Sequence, residues 1–465
     1  MKTLSKYDIP EPVYDLMSFL SYRYNMTPLI TGGAVRDLLL GREPNDYDIE
    51  VFGNYTAEEL DHALKVKYPA AKEVGNSFGV YEVIREPFHI QVSIPRTENK
   101  IGPKHTDYNT TRTNDIVEAA LRRDLTINAM FLTMSGSILD PMDGMPHLKA
   151  GVLHPTSDRF LEDSLRVLRV FQLASRLDFF PSQSLIEISR RALDDFSYLS
   201  KERIGEEWWK WATKSINPER GLQYLLDCGA LERFYPSLFA MTTTPQNPKW
   251  HPEGSVWIHT LKALGAVKHY VLPVQDRVAL IFSVLLHDIG KPITTEFDEE
   301  GRLMSKDHAH AAISQHLISD FAKAIRMPGS IENMVEVLVD THMSKIQEMG
   351  KPGIRRLARK LEEKGANIGL HLRLRQCDRI GQGLSEVEAH QEFVENWERA
   401  ESFLVGLHSP VPVLMGRHLI EAGLVDPGPT MGRILKMVFE LQLDGEVETV
   451  EQGLEKAKEI LTASE

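Results

Sequence analysis

Between residues 31 and 53 the chain reads TGGAVRDLLLGREPNDYDIEVFG, a stretch whose residue types suit chemistry better than core packing. Gly32 and Gly33 sit between an apolar run and a helical one. The backbone there can approach a ligand closely, and a helix starting near Val35 aims its first N–H groups at an anion. Arg36, in the pair Arg36-Asp37, adds a charge-assisted contact to the same phosphates. Asp46 and Asp48, at i and i+2 of a strand, point the same way. Two parallel carboxylates repel unless a divalent cation lies between them, and Mg²⁺ favours one or two carboxylates plus phosphate oxygens. Taken singly, the glycines would be a turn and the acids a solvated loop; together they describe a triphosphate-metal site.

A second set lies far along the chain. VLLHDIGKP places His287 and Asp288 at the end of a strongly apolar helix, just before Gly290 and Pro292. Burying an imidazole beside a carboxylate is costly unless something satisfies both. His259 in WIHTL, His310 in DHAHAAIS, His342 in VDTHMSK and Asp378 in RQCDRIG recur on neighbouring helical stretches. A lone buried histidine is usually satisfied by a carbonyl, so the weight rests on the whole series.

The elements that must position these groups change character along the chain. Up to about residue 150, short β-rich runs (TPLITGG, FHIQVSI) alternate with helical ones (AVRDLLLG, ending at Gly41). Beyond HPTSDRF the strand signals nearly stop, and amphipathic helices such as LEDSLRVLRVFQLASRL and ERIGEEWWKWATKS take over. The break MTTTPQNPKWHPEG precedes a further all-α region from Val256 to about Gly383. The fold class expected is α+β: an α/β head with a small mixed sheet flanked by helices, then all-α neck, body and C-terminal domains. The boundaries expected are 1–150, 151–245, 250–383 and a helical tail over 384–465.

A chain of 465 residues is too long for one core. With 42% hydrophobic and 26% charged residues it has an ordinary globular composition. No apolar run approaches the roughly 18 residues that span a bilayer, and MKTLSKYDIPEPVYD lacks the apolar core of a secretory signal. Cys228 and Cys377, the only cysteines, have no metal-type spacing. A reducing cytoplasm and no membrane partner are expected. A net charge of −13 argues against indiscriminate coating of nucleic acid, although a local basic groove remains compatible with it. KPGIRRLARKLEEKG, with Lys351, Arg355, Arg356, Arg359 and Lys360, followed by Arg373, Arg375 and Arg379, is one candidate; a solvated helix face accounts for these charges at least as well.

The order strand–GG–helix–DxD matches the nucleotidyltransferase superfamily, and GGAVRDLLLG...NDYDIE resembles the form in class II tRNA nucleotidyltransferases and bacterial poly(A) polymerases. LRRDLTINAM (121–130) resembles the family's RRD-x-T-x-N-A motif, which implies that Arg123, Asp124 and Asn128 face the nucleotide's sugar and phosphates. EDSLRVLR (162–169) resembles its E-D-x-x-R motif, where an Asp and an Arg read the base. Asp163, Arg166 and Arg169 recur every three residues and so share one helical face, with Phe160, Leu161, Leu165 and Leu168 behind. An Asp acceptor beside an Arg donor can imitate a Watson–Crick edge; in isolation an i,i+3 surface ion pair would also explain it. IGEEWWKW (204–211) resembles the neck helix, with Trp208, Trp209 and Trp211 read as packing. Two positions depart from the family: Gln91 stands where a third carboxylate is often found, and Gln172 where a basic residue is.

The order H…HD…H…H…D resembles the HD-domain metal-dependent phosphohydrolases. The resemblance implies one divalent or transition metal on His259, His287, Asp288 and Asp378, with His310 and His342 completing a second metal position or binding phosphate. His308 lies two residues from His310, and spacing leaves open which of the two ligates.

The expectation is an enzyme that adds or repairs the 3′-terminal CCA of tRNA from CTP and ATP with Mg²⁺ in the head. Rivals with the same chemistry are poly(A) polymerase and CC-only or A-only addition. Rivals of another class are an HD phosphohydrolase (2′,3′-cyclic phosphodiesterase, nucleotidase or phosphatase) and a silent RNA-binding module. The tail over 384–465 is assigned to the tRNA body by position only, and the oligomeric state carries no sequence signal.

Overall fold

The chain forms two units, Met1–Phe234 and Tyr235–Glu465. The computed structural model describes residues 3–73, 79–100, 108–404 and 406–463. In the first unit, helix α1 (Glu11–Tyr24) buries Val13, Leu16, Met17 and Leu20 and ends at Asn25 in the left-handed conformation (φ 52°). It feeds a mixed sheet. The strands are β1 (Thr27–Thr31), β2 (Asp46–Phe52), β3 (Lys72–Glu73), β4 (Val80–Arg85), β5 (Phe88–Ser93), β8 (Phe131–Leu132) and β9 (Ile138–Leu139), with β6 (Arg96–Lys100) and β7 (Tyr108–Arg112) paired separately. Their order is β3-β4-β5-β2-β1-β8-β9, with β2 and β5 parallel and the remaining pairs antiparallel.

The strand DYDIEVF shows why the sheet has a working side. Tyr47, Ile49 and Val51 are buried in the core, so the period of two sends Asp46, Asp48 and Glu50 to the opposite face. Register then places Thr31 and Gln91 on either side of Asp48. Helix α2 (Gly33–Leu39) leaves β1 directly through Gly32, and α3 (Ala57–Lys67) starts in a reciprocal cap between Thr56 and Glu59.

Along the chain there follow α4 (Ile116–Leu121), α5 (Gly144–Ala150), α6 (Leu165–Leu177), α7 (Gln183–Ala192) and α8 (Lys201–Lys214). Phe171 of α6 lies 4.6 Å from the ring of Trp208 and 5.4 Å from that of Trp211, both fully buried on α8. These two tryptophans are packing residues, as expected; Trp209 is partly exposed on the other side of the helix. Gly221 completes the contact: a Cβ there would stand 2.2 Å from the Phe171 carbonyl oxygen.

The second unit is predominantly helical. Helices Val256–Gly265, Val274–Leu286, Gly329–Thr341 and Ile368–Gly381 supply its core, and Thr295–Phe297 pairs with Leu303–Ser305 in a short antiparallel ladder that the sequence reading did not foresee. Leu414, Leu419, Ile434, Val438, Val447 and Ala457 form a separate cluster near the C-terminus. The candidate basic groove is consumed by packing. Arg356 pairs with Glu440 (3.2 Å) and Asp444 (2.7 Å), Arg359 with Glu440 (3.1 Å), and Lys360 with Asp340. Arg355 donates to the carbonyls of Phe403 and Gln442, Arg375 to that of His342, and Arg379 grips Glu392. Both cysteines are buried and free. Among the described residues no helix is long and apolar enough to cross a membrane.

Candidate active site and metal centre

The working face of β2 forms the floor of a cavity of about 570 Å³ in the first unit. Gly32, Gly33, Arg36, Asp46, Asp48, Arg123, Asp124, Asn128, Asp163, Arg166 and Arg169 all line it; Asp37 does not. Residues from four separate stretches therefore meet in one place. Gly32 is needed for two reasons: its φ is +75°, and a Cβ would stand 2.9 Å from Asp48 Oδ2 and 3.2 Å from Arg123 Nη1. Asp48 opens onto the cavity but is walled by protein. Desolvation pushes its carboxyl above the usual range, Glu50 adds to the rise, and Arg123 opposes it. A crowded carboxylate of this kind is relieved by a cation, so the donor set fits a divalent ion.

The remaining polar groups are locked to one another. Arg36 Nε donates to Asp37 Oδ1 (2.8 Å) and its Nη1 to Asn128 Oδ1 (2.6 Å), while Arg176 reaches Asp37 Oδ2 (3.1 Å). Asp37 thus orients Arg36 from behind and does not face the cavity itself. Asp124 is buried and accepts from Leu125 N (2.8 Å), Asn128 Nδ2 (3.1 Å) and Arg169 Nε (2.7 Å). Burial alone would raise its pKa, but Arg169 and Asn128 outweigh it and bring the group down to about 2.

Asp163, Arg166 and Arg169 do not all lie on one helical face as expected. Asp163 precedes α6, because its Oδ1 accepts the Leu165 N–H (3.1 Å), which suits an Asp to the approach to a helix better than to its interior. Among the described residues no side-chain ion pair joins Asp163 to Arg166, although the Arg166 N–H donates to the Asp163 carbonyl (3.0 Å). Arg166 instead donates to the carbonyls of Arg159 and Arg122, each at 2.6 Å, and Asp163 Oδ2 is held by Arg203 of α8 at 2.6 Å. Gln91 and Gln172 both line the cavity. Several groups there were missed from the sequence, among them Glu50, Arg122, Arg176, Glu207, Lys210 and Lys214. Lys210 and Lys214, one turn apart on α8, lay hidden in a stretch read only for packing. Glu50 was legible, since DYDIE alternates three acids.

In the second unit the histidine series converges. His259 Nε2 lies 3.1 Å from His287 Nε2 and 3.1 Å from Asp378 Oδ1. Asp288 Oδ2 is 3.7 Å from His259 Nε2 and 3.3 Å from His287 Nε2, and His287 Nε2 is 3.8 Å from Asp378 Oδ1. These separations bracket the roughly 3.4 Å edge of a tetrahedron with bonds of about 2.1 Å. The other oxygen, Asp288 Oδ1, meets His308 Nε2 at 3.2 Å, and His308 Nε2 is 3.2 Å from His342 Nε2. His310, expected in this place, is exposed and outside the cluster. The helix His308–Ser314 begins at His308, and a two-residue step turns His310 some 200° away from it.

The ring orientations are fixed by what cannot donate. His287, His308 and His342 direct Nδ1 at the carbonyls of Val284 (2.8 Å), Ser305 (3.0 Å) and Val339 (2.6 Å). A carbonyl only accepts, so Nδ1 carries the proton and Nε2 turns a lone pair inward. His259 does the same through Glu253 Oε1 (2.8 Å), which also takes His251 Nδ1 (2.9 Å). Inward lone pairs at this spacing repel unless a proton or a cation intervenes. Burial would push His259 down, but Asp378 and Glu253 lift it to about 9. His342 is driven by burial, with His287 and His308, down to about 3. Lys291 Nζ sits 2.7 Å from Asp288 Oδ2, off the hydrogen-bonding direction. Two glycines allow the convergence. A Cβ on Gly290 would be 2.0 Å from the His308 carbonyl oxygen, and one on Gly381 2.8 Å from His259 Cε1.

The family model for the poly A polymerase head domain matches residues 29–154, and that for the HD domain matches residues 256–376. Among solved structures, the Bacillus stearothermophilus CCA-adding enzyme in complex with CTP is similar at 18% identity, covering 98% of this chain and 99% of its own, with a TM-score of 0.64. The Thermotoga maritima CCA-adding enzyme complexed with tRNA is similar at 18% identity over 98% and 97%, with a TM-score of 0.57. An apo form of a CCA-adding enzyme gives 19% identity over 98% and 97%, with a TM-score of 0.60. At these identities the structures speak for the fold alone. The domain matches show that the chain carries a poly A polymerase head domain over residues 29–154 and an HD domain over residues 256–376.

Proposed function

We propose that the protein adds or repairs the 3′-terminal CCA of tRNA, transferring nucleotides from CTP and ATP to an RNA 3′-hydroxyl with release of pyrophosphate. The observation that carries this is the single cavity in which the Gly32-Gly33 turn, Asp46, Asp48, Arg123, Asp163 and Arg166 meet. Asp46 and Asp48 would hold Mg²⁺, which supplies a stronger nucleophile and neutralises charge on the leaving pyrophosphate. Arg36 and Arg123, oriented by Asp37 and Glu50, bind phosphate oxygens. Asp163, fixed by Arg203, and Arg166 present an acceptor and a donor to the base, so the protein serves as template. Attack on the α-phosphorus is in line, and no covalent protein intermediate is required. Offering a tRNA lacking CCA each triphosphate singly and in pairs tests the reading. Incorporation of CTP, then ATP, and arrest after CCA is expected; long A tails would identify a poly(A) polymerase, and no incorporation would remove the enzyme reading.

The converging histidines support a second activity. His259, His287, Asp288 and Asp378 would hold one metal, and Asp288 with His308 and His342 a second. Nitrogen-rich donors of this kind favour a transition metal over Mg²⁺. When bound, the metal supplies a water activated against a phosphoester, such as a 2′,3′-cyclic phosphate.

A further inference from the structure

The working face of the sheet carries more than the carboxylates of β2. On β5, Ile90 and Val92 are buried in the core, so His89 and Gln91 face the side of Asp46 and Asp48. Register sets His89 beside Asp46 and the neutral amide of Gln91 beside Asp48. On β4, Tyr81 and Val83 are buried, so Glu82 shares that side, opposite Gln91 and diagonal to His89. Glu82 Oε1 meets His89 Nε2, and His89 Nδ1 stands 3.7 Å from Asp46 Oδ1. A histidine thus lies between the acid of β4 and the acid pair of β2. Among the described residues neither Glu82 nor Asp46 has a lysine or arginine partner.

The gap between His89 and Asp46 decides what can fill it. A carboxylate only accepts, so the bond to Glu82 places a proton on Nε2 and leaves Nδ1 turned towards Asp46. At 3.7 Å the two atoms are too far apart to share a hydrogen bond. An imidazolium would draw the Asp46 carboxylate, whose side chain is 87% exposed, into contact, and no such contact is made. A bridging water at about 2.8 Å from each atom prefers a span of about 4.6 Å, so the gap is too short for one. Two donors on one cation, with bonds of about 2.1 Å, stand about 3.0–3.4 Å apart, and a small rotation of Asp46 reaches that. A carboxylate behind the far ring nitrogen is also the usual support of a metal-ligating histidine.

We propose that His89 Nδ1 is a ligand of the divalent ion held by Asp46, with Glu82 fixing the ring from behind. The inference rests on the reading of Asp46 and Asp48 as the metal holders. A nitrogen in the donor set favours ions such as Mn²⁺ over Mg²⁺ beyond what carboxylates alone give.

The probe is Mn²⁺, with CTP present throughout, on the full chain carrying His287→Ala and His308→Ala. These changes strip a histidine from each candidate metal position of the second unit, so its ions do not mask the signal. Electron spin echo spectroscopy reads nitrogen bound to Mn²⁺, and titration of the free-ion signal reads affinity. This parent is expected to show a bound imidazole nitrogen. Adding His89→Asn should remove that nitrogen and weaken Mn²⁺ binding at least about tenfold; adding Glu82→Gln should keep the nitrogen and weaken binding about tenfold. A parent without the nitrogen signal overturns the proposal, even if His89→Asn weakens binding, because His89 then only positions Asp46. A nitrogen signal that survives His89→Asn overturns it as well. Should His89→Asn fail to fold, the presence or absence of the signal in the parent, and its weakening in Glu82→Gln, decides. A parent that shows the His89-dependent nitrogen but incorporates no nucleotide strikes the transfer reading and leaves the metal ligand standing.

Discussion

Substituting Asp124→Asn tests whether the arginine-aspartate lattice behind the cavity is as strong as its geometry implies. The carboxylate accepts three donors, at 2.7, 2.8 and 3.1 Å. The amide retains one oxygen, turns an N–H₂ towards a donor, and leaves Arg169 without its charge partner. Loss of a charge-assisted hydrogen bond costs about 1.5–3 kcal/mol. A second route gives a similar figure. The drop from 3.8 to about 2 in the folded state corresponds to about 2.5 kcal/mol at neutral pH. Because the Arg169 side chain is 48% exposed, solvent screening trims this to about 2 kcal/mol. The group's pKa is depressed by folding, so its contribution is complete above pH 4 or so and disappears as pH falls through about 2. Urea unfolding, followed by the fluorescence of Trp208 and Trp211 packed on α6, reads the loss. The variant should be weaker by about 2 kcal/mol at pH 7 and equal to wild type near pH 2, and a cycle with Arg169→Met should show coupling of about 1 kcal/mol or more. A difference below about 0.5 kcal/mol at pH 7, or one that persists undiminished in acid, would refute the reasoning.

Three further outcomes follow from the same geometry. Gly32→Ala forces a Cβ to within 2.9 Å of Asp48 Oδ2 and should lower kcat at least about a hundredfold while costing only about 1–2 kcal/mol in a thermal melt. Arg203→Met frees Asp163 and should lower kcat/KM about tenfold, mainly through KM, with increased misincorporation of UTP and GTP; unchanged fidelity would remove Arg203 from the recognition wall. His308→Ala should weaken metal retention in a chelator competition by at least about tenfold, whereas His310→Ala should leave it untouched.

What could be read from the sequence follows the range of the interactions involved. Alternation in DYDIE is a local property of a strand, so the shared face of Asp46 and Asp48, opposite the core, was legible in the sequence. Glu50 carried the same signal and was passed over because its partners, Arg122 and Arg123, lie more than seventy residues away. The position of Asp163 was misread because periodicity was extended through a residue that ends one short helix and introduces the next. The basic run from Lys351 could not be judged alone: the acids that neutralise it, Glu440 and Asp444, enter from a distant helix. The choice between His308 and His310 depends on where a helix starts, a boundary that spacing leaves undetermined.

The central claim is that nucleotide transfer resides in the carboxylate pair of β2 and is independent of the histidine centre. It is tested most directly by assaying Asp46→Ala and His287→Ala separately on a tRNA lacking CCA and on a 2′,3′-cyclic nucleotide. The account predicts that Asp46→Ala abolishes nucleotide addition and leaves any cyclic-phosphate hydrolysis intact, with His287→Ala doing the reverse. Full nucleotide addition by Asp46→Ala would contradict it.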